Sequence, residues 1–222
     1  MPRKTLSQIK HNPTPKELYE SLMSSEGWPY IKEENKLKFL SRDRSLVAVL
    51  YLGDFRISEV LPLTTDNFEE TTEYLWVKDV KVGKKKQGTI TYREAKFPLV
   101  KERAPFTQLV LDYLASLKPQ QRLYPWSLKV TKTELKKWQY MVKGDSELRS
   151  RYSIKMVGTT RAWQIVNALL PEYTEHWLRA FGYNYDYDHM GHDIMAVSDK
   201  TKADPRSLQP YLRRRYEKYP VR

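Results

Sequence analysis

The stretch RDRSLVAVLYLGDFRISEVLPL, residues 42–63, joins an apolar helix to a polar break. Its leucines and valines continue a helical pattern that starts earlier in the chain and becomes fully apolar toward its end. That pattern predicts a helix over residues 33–52 whose last turns are buried. Gly53 and Asp54 end this helix, and ISEVLPL predicts a second, short one. Arg56 therefore stands at the start of the short helix.

Glu59 follows Arg56 by about one helical turn. Side chains at this spacing leave the same face of a helix. We therefore expect Glu59 to hold the Arg56 guanidinium by a bidentate pair. The alternative is an ordinary structural ion pair on the surface.

The stretch TEHWLR, residues 174–179, places His176 and Arg179 one helical turn apart. Both side chains are expected to leave one face of a helix and to reach one point. A phosphate is a ligand that a histidine and an arginine can bind together. Two residues do not make a site, so the other partners must come from elsewhere in the chain.

Residues 74–82 and 88–99 are rich in valine, isoleucine, threonine and aromatic residues. This composition predicts the two strands of a β-hairpin. The alternation along the strands slips at Lys78–Asp79 and again near Ala95–Lys96, which predicts a bulge at each place.

The segment GKKKQG, residues 83–88, lies between the two strands. Three lysines at a hairpin tip usually belong to a solvated turn. They could equally place an ammonium group against a DNA backbone. The three are Lys84, Lys85 and Lys86.

Most of the remaining chain follows helical patterns. Thr14 and Pro15 are typical of a helix start. Apolar stripes or caps mark further helices in PFTQLVLDYLASL, TKTELKKWQYMV, TRAWQIVNALL, TEHWLRAF and SLQPYLRRRYEKY. The order is helices, one small sheet and helices again, which is not the alternating order of a parallel sheet. The predicted fold class is α+β, mainly helical with a small antiparallel β-sheet.

The charge balance favours a polyanionic partner. The 222 residues include 39 Lys and Arg against 27 Asp and Glu, which gives a net charge of +12. Such an excess most often accompanies nucleic-acid binding. A basic soluble protein without such a partner would show the same balance.

The composition also excludes several kinds of site. The chain has no cysteine, so it has no disulfide, thiol nucleophile or thiolate metal site. No apolar run is long enough to span a membrane, and MPRKTLSQIKHNPTPK at the N-terminus lacks the apolar core of a secretory signal. We therefore expect a cytoplasmic protein without a membrane partner. Residues 1–13 are basic and polar and predict a flexible arm.

The segment DYDHMGHD, residues 186–193, places His189 and His192 one turn apart among three aspartates. This grouping could bind a metal ion, as in a metal-dependent nuclease. The spacing matches no standard metal motif, and a polar helix start explains it equally well.

Tyr211 lies on a basic segment, SLQPYLRRR, residues 207–215. A tyrosine in a chain with 16 of them is ordinarily a packing residue. A phenol beside arginines can instead act as a nucleophile, because the cations stabilise the phenolate. The arginines are Arg213, Arg214 and Arg215.

Taken together, these elements resemble the catalytic domain of the tyrosine recombinase (phage integrase) family. GDFRISEV matches the family segment that carries its first arginine, and HWLR matches its His-x-x-Arg. Tyr211 lies 32 residues after Arg179, where the family carries its nucleophile. The hairpin with a basic tip lies where the family carries its catalytic lysine. The four elements occur in the family's order across residues 40–215.

The resemblance implies a role for each matched residue. Arg56 and Arg179 bind the scissile phosphate, and Glu59 supports Arg56. His176 bonds to the phosphate and can take the tyrosine proton. Lys86 (with Lys84 and Lys85 still open) protonates the 5′ oxygen, and Tyr211 attacks. Lys202 stands where the family usually has a second histidine or a tryptophan. A lysine there can donate to a phosphate oxygen but cannot transfer a proton as an imidazole does.

The resemblance also implies a function. It predicts a site-specific DNA recombinase or integrase that cleaves and rejoins double-stranded DNA through a 3′-phosphotyrosine, without metal or cofactor. A type IB topoisomerase and a non-catalytic DNA-binding relative are the alternatives. Residues 14–222 are expected to form the catalytic domain, without a separate N-terminal core-binding domain. Self-association on DNA as a dimer or tetramer, and an origin in a prokaryotic or viral mobile element, are further expectations.

Overall fold

The computed structural model describes residues 13–26, 33–82, 91–124, 159–171, 173 and 175–216. For 33–38, 159–161, 175–176 and 213–216 it describes the backbone alone. Two predicted elements lie outside the described residues: the lysine-rich turn, and the helix TKTELKKWQYMV. The predicted N-terminal arm also lies outside them, except for its last residue.

Helices make up most of the described chain. In chain order they are α1 (Pro15–Ser24), α2 (Glu33–Gly53), α3 (Ile57–Val60), α4 (Ala104–Leu114), α5 (Thr159–Leu169), α6 (Glu175–His189), α7 (Ile194–Thr201) and α8 (Pro205–Tyr216). The predicted start of α1 is confirmed: Thr14 accepts a hydrogen bond from the Glu17 backbone, and the Glu17 carboxylate accepts one from Thr14 N–H. The mainly helical α+β fold class is confirmed as well.

The sheet has three antiparallel strands in the order β1 (Phe68–Glu70), β2 (Tyr74–Val82) and β3 (Thr91–Pro98). The predicted hairpin is therefore present. The short β1 had not been predicted, because three residues are too few for an alternating pattern to be recognised.

One predicted bulge is confirmed and the other is wrong. Lys78 and Asp79 together face a single residue of β3, and Asp79 has a positive φ of 55°. The register is continuous through Ala95–Lys96, where no bulge occurs. The buried side of β3 alternates regularly, but it begins with Arg93. An arginine is usually exposed, so a buried one at this position makes the sequence pattern indicate a slip that the strand does not have.

The second half of α2 is the centre of the core. Every residue from Leu46 to Leu52 is at most 2% exposed, because α4, α5, α6 and β3 pack around this helix. The prediction of a helix with a buried end is confirmed. The break that follows therefore lies inside the protein, which brings the residues after it against α6 and β3.

The C-terminal part differs from the prediction in two ways. Residues 186–189 end the long helix α6, so of the segment 186–193 only its last residue, Asp193, belongs to a polar helix start. Helix α7 had not been predicted; Asp193 caps it through the backbone N–H groups of Met195 and Ala196. None of the described helices is long and apolar enough to cross a membrane.

Candidate active site

Arg56 is held by Glu59 at the start of α3. One carboxylate oxygen of Glu59 accepts from the Arg56 guanidinium at 2.9 Å, and the other accepts from the Arg56 backbone N–H at 2.9 Å. The contact is present, but it is not the predicted bidentate pair to the guanidinium. The Glu59 side chain is buried, while the Arg56 side chain is 56% exposed. One side of the guanidinium is therefore fixed and the other remains open to a ligand.

Arg179 lies on α6 and reaches the same break in the chain. Its Nε–H donates to the backbone carbonyl of Asp54 at 2.9 Å, and its Nη2–H donates to the hydroxyl of Tyr183 one turn later. Asp54 has a left-handed backbone with φ 52°, a conformation that aspartate tolerates better than most residues. The turn after α2 thus supplies both Arg56 and the carbonyl that orients Arg179.

A third arginine, Arg93 on β3, lies beneath the other two. It is buried and donates to Glu59 Oε2 at 3.2 Å, to the Asp54 carbonyl at 3.1 Å and to the Thr201 carbonyl at 2.9 Å. Its guanidinium also stacks over the Phe55 ring at 4.3 Å. Sequence reasoning missed Arg93. The available signal was its position two residues before Ala95, on the inward face of β3.

Tyr183 lies among the three guanidinium groups. Burial raises the pKa of its hydroxyl to about 12, while the charges of Arg179, Arg93 and Arg56 act in the opposite direction. Sequence reasoning missed this residue too. A neutral, buried phenol that bonds to Arg179 fixes the guanidinium without neutralising its charge.

Tyr211 packs directly on Tyr183. The two rings meet edge to face with centroids 5.6 Å apart, and Asn184 Nδ2 on α6 donates to the Tyr211 carbonyl at 3.4 Å. Only the ring of Tyr183 therefore lies between Arg179 and Tyr211, although the two residues are far apart in the sequence. Tyr211 is partly buried, so the ring is anchored at one edge.

Lys202 lies at the rim of this group. It is exposed and has a left-handed backbone with φ 53° at the end of α7. The preceding residue, Thr201, offers its carbonyl to Arg93. Lys202 thus directly follows a residue whose carbonyl is held by the buried Arg93.

Several predicted site residues are not described in full. Lys84, Lys85 and Lys86 lie outside the described residues. His176 belongs to α6, one turn before Arg179, but its side chain is not described. The same holds for the side chains on α8 of Arg213, Arg214 and Arg215.

A buried carboxyl pair lies behind the arginines. The Asp54 side chain lies against Asp186 of α6, and Asp186 pairs with Lys200 and with Arg103, the latter at 3.3 Å. Gly182 makes this approach possible, because a Cβ there would lie 1.5 Å from Asp54 Oδ1. Burial, and then the charge of Asp186, raise the pKa of Asp54 from 3.8 to about 8, although Lys200 and Arg103 oppose the shift.

Asp54→Asn should change how stability depends on pH. A carboxyl whose pKa is raised in the folded state binds its proton more tightly there, so the wild type should lose stability as the pH rises from about 4 to 8. An asparagine keeps the shape and tolerates the positive φ, but it does not ionise. Melting temperatures of both proteins should therefore diverge in favour of Asn between pH 5 and pH 8. A constant difference across that range would contradict the assignment.

The two histidines near the end of α6 have ordinary partners. His189 Nδ1 bonds to the Tyr185 carbonyl at 2.8 Å and its ring stacks on Tyr185, while His192 lies 3.6 Å from Asp188. Among the described residues, no group of three or more His, Cys, Asp or Glu could hold a metal ion.

No protein-family model matches the sequence, and no curated protein matches it either. Solved structures do match. The pre-cleavage complex of the XerH site-specific recombinase with its difH substrate gives a TM-score of 0.52 at 16% identity, over 96% of this chain and 53% of that chain. The post-cleavage complex with palindromic difH gives 0.52 at 15% identity, over 98% and 55%.

The Tn1549 transposon integrase in complex with circular intermediate DNA matches with a TM-score of 0.44 at 18% identity, over 95% of this chain and 62% of that chain. The chain spans about half the length of the XerH structures that it matches. The XerH matches show that the chain has a tyrosine-recombinase-like fold, which confirms the predicted resemblance at the level of the fold.

Proposed function

We propose that this chain cleaves and rejoins double-stranded DNA through a covalent 3′-phosphotyrosine, as a site-specific recombinase or integrase. The observation that carries the proposal is that Arg56 and Arg179 both lie near Tyr183, whose ring packs edge to face on Tyr211. The recombinase-like fold supports it, since XerH is a site-specific recombinase bound to its difH substrate in pre- and post-cleavage complexes.

The chemistry needs a nucleophile, a proton acceptor and a proton donor. The hydroxyl oxygen of Tyr211 attacks the scissile phosphorus; a bond from tyrosine to phosphorus forms and the bond to the 5′ oxygen breaks. His176 accepts the tyrosine proton, and Lys86 gives a proton to the departing 5′ oxygen. Attack by a 5′ hydroxyl on the phosphotyrosine rejoins DNA and releases Tyr211. The phosphotyrosine keeps the energy of the broken bond, so no nucleotide cofactor is needed.

The charges of the site suit a phosphate that becomes more negative during attack. Three guanidinium groups, those of Arg56, Arg93 and Arg179, lie near Tyr183, and the Glu59 carboxylate pairs with two of them, Arg56 and Arg93. An excess of preorganised positive charge stabilises the transition state more strongly than it stabilises the ground state. Lys202, at the rim, is proposed to donate to a phosphate oxygen.

DNA binding is proposed to extend beyond the scissile phosphate. The net charge of +12 supports it. The basic residues proposed to contact the backbone are Lys84, Lys85, Arg213, Arg214 and Arg215. Residues 14–222 are proposed as the catalytic domain after a basic arm, with a dimer or tetramer on DNA and a mobile element as the origin.

A non-catalytic DNA-binding relative is the second candidate. The specific observation in its favour is Lys202, because a lysine stands where an imidazole or indole is usual in the family. Such a protein would bind duplex DNA and form no covalent adduct.

Trapping on nicked DNA tests the proposal. The substrate is a pool of duplexes with randomised sequence around a nick. Cleavage near the nick releases a short strand that diffuses away, so the phosphotyrosine cannot be reversed. The proposed function predicts a protein–DNA adduct that survives denaturing electrophoresis and forms in the presence of EDTA. Tight binding without any adduct would support the non-catalytic relative. Joining of two duplexes, compared with relaxation of one supercoiled circle, then separates a recombinase from a topoisomerase.

Lys86→Ala should slow cleavage of ordinary DNA but not of DNA with a sulfur at the scissile 5′ bridging position. Sulfur leaves without a proton, so loss of the general acid should matter little there. The two strands that flank the lysine-rich segment are paired as far as Val82 and Thr91, two residues from buried Arg93. Matched Lys84→Ala and Lys85→Ala variants test the choice. Rescue of one of them in place of Lys86→Ala would move the assignment to that lysine.

A further inference from the structure

Arg93 is a buried charge with an unusual set of partners. Its side chain is 3% exposed, and a buried guanidinium costs free energy unless it is well compensated. Its three acceptors come from three separate parts of the chain: the turn after α2, helix α3 and the end of α7. Binding these segments together is a structural role that one well-placed arginine can fill.

Each acceptor also belongs to the support of a different cation. Glu59 holds Arg56. The Asp54 carbonyl, which Arg93 shares, accepts from Arg179. The third acceptor is the carbonyl that directly precedes Lys202.

We propose that Arg93 is a positioning residue that fixes Arg56, Arg179 and Lys202 relative to one another at the phosphate. The inference rests on the proposed function. Arg93 itself is buried beneath the site and acts through Glu59 and the two carbonyls. A shift of about 1 Å in such groups is enough to cost on the order of 10²-fold in rate.

Arg93 also affects the charge that Arg56 presents. Glu59 accepts from Arg93 through Oε2 and from the Arg56 guanidinium through Oε1. One carboxylate is thus shared between two cations, and Arg56 retains more of its charge for a ligand than it would in an isolated pair. A lysine cannot replace this arrangement, because a single ammonium lacks the planar fork that reaches three acceptors.

The test compares Arg93→Lys with Arg42→Lys. Arg42 is an equally buried arginine of α2, about 18 Å from Asp54 along the helix axis. Both variants keep the charge and should lower thermal stability. Arg93→Lys should slow adduct formation on the nicked duplex by about 10²-fold, whereas Arg42→Lys should stay within about two-fold of wild type.

The second readout does not depend on activity. In ¹⁵N spectra of the free protein, the Arg179 Nε–H resonance, assigned by its loss in Arg179→Lys, should shift in Arg93→Lys and stay in place in Arg42→Lys. Glu59→Gln is the second variant, for use if Arg93→Lys does not fold. Among the described residues Glu59 makes no hydrogen bond to Arg179; it is linked to the Asp54 carbonyl, which orients Arg179, through Arg93 and through the Arg56 backbone. A shifted Arg179 resonance in Glu59→Gln supports the positioning role, and an unmoved resonance would overturn it.

The outcomes separate the two proposals. A wild type that forms no adduct, with a shifted Arg179 resonance, would overturn the proposed function and keep the positioning role of Arg93 toward Arg179. An active wild type with an unmoved resonance, and with Arg93→Lys as active as Arg42→Lys, would overturn the role of Arg93. An active wild type with a shifted resonance and a slow Arg93→Lys supports both.

Discussion

Tyr211→Phe should abolish the covalent protein–DNA adduct and leave DNA binding close to that of wild type. Removal of the nucleophilic oxygen leaves nothing to form the phosphotyrosine. The ring itself is retained, so the edge-to-face contact with Tyr183 should hold α8 in place. The measurement is the fraction of a labelled nicked duplex that stays attached to protein after denaturation, beside its affinity measured by anisotropy.

Tyr183→Phe is the matched control for this prediction. It removes a hydroxyl from the neighbouring ring, which bonds to Arg179 but is too deeply buried and too weakly acidic to attack. We expect Tyr183→Phe to slow adduct formation and not to abolish it. An adduct that persists in Tyr211→Phe and disappears in Tyr183→Phe would make Tyr183 the nucleophile. An adduct that persists in both would point to another residue, with Tyr216 and Tyr219 next to test.

Arg56→Ala and Arg179→Ala should each reduce the rate of cleavage by roughly 10²–10³, equivalent to about 2.7–4 kcal/mol of transition-state stabilisation. Each variant removes a positive group that is held in place before the phosphate arrives: Arg56 by Glu59, and Arg179 by the Asp54 carbonyl. The loss should appear in single-turnover cleavage at saturating DNA, because the interaction strengthens as negative charge develops.

Arg206→Ala is the control for loss of one positive charge. Arg206 is exposed on α8, the helix that also carries Tyr211. It should change the affinity for DNA at most modestly and leave the saturated cleavage rate close to wild type. If Arg56→Ala behaved in the same way, Arg56 would be an ordinary backbone contact. If Arg179→Ala lost its fold, Arg179→Lys would test the same contact with the charge retained.

The local features of the site were predictable from the sequence. Apolar spacing predicts α2 and its buried end, and Gly53–Asp54 predicts the break that follows. The three-residue separation of Arg56 and Glu59 places them in contact on one short helix. These predictions succeed because periodicity and helix breakers act within a few residues, where the identities of neighbouring residues determine the secondary structure.

The tertiary structure alone decided how the cations are joined. Arg93 reaches acceptors 39 and 108 residues away, and Arg179 bonds to a carbonyl 125 residues earlier in the chain. All of these acceptors are backbone carbonyls, those of Asp54 and Thr201, and because every residue has a carbonyl the sequence cannot distinguish them. In a sequence, a buried arginine also cannot be told from an arginine on the surface. Only the assembled fold supplies the acceptors that offset the cost of burying its charge. The burial of Arg93 and its contacts are therefore visible only in the tertiary structure.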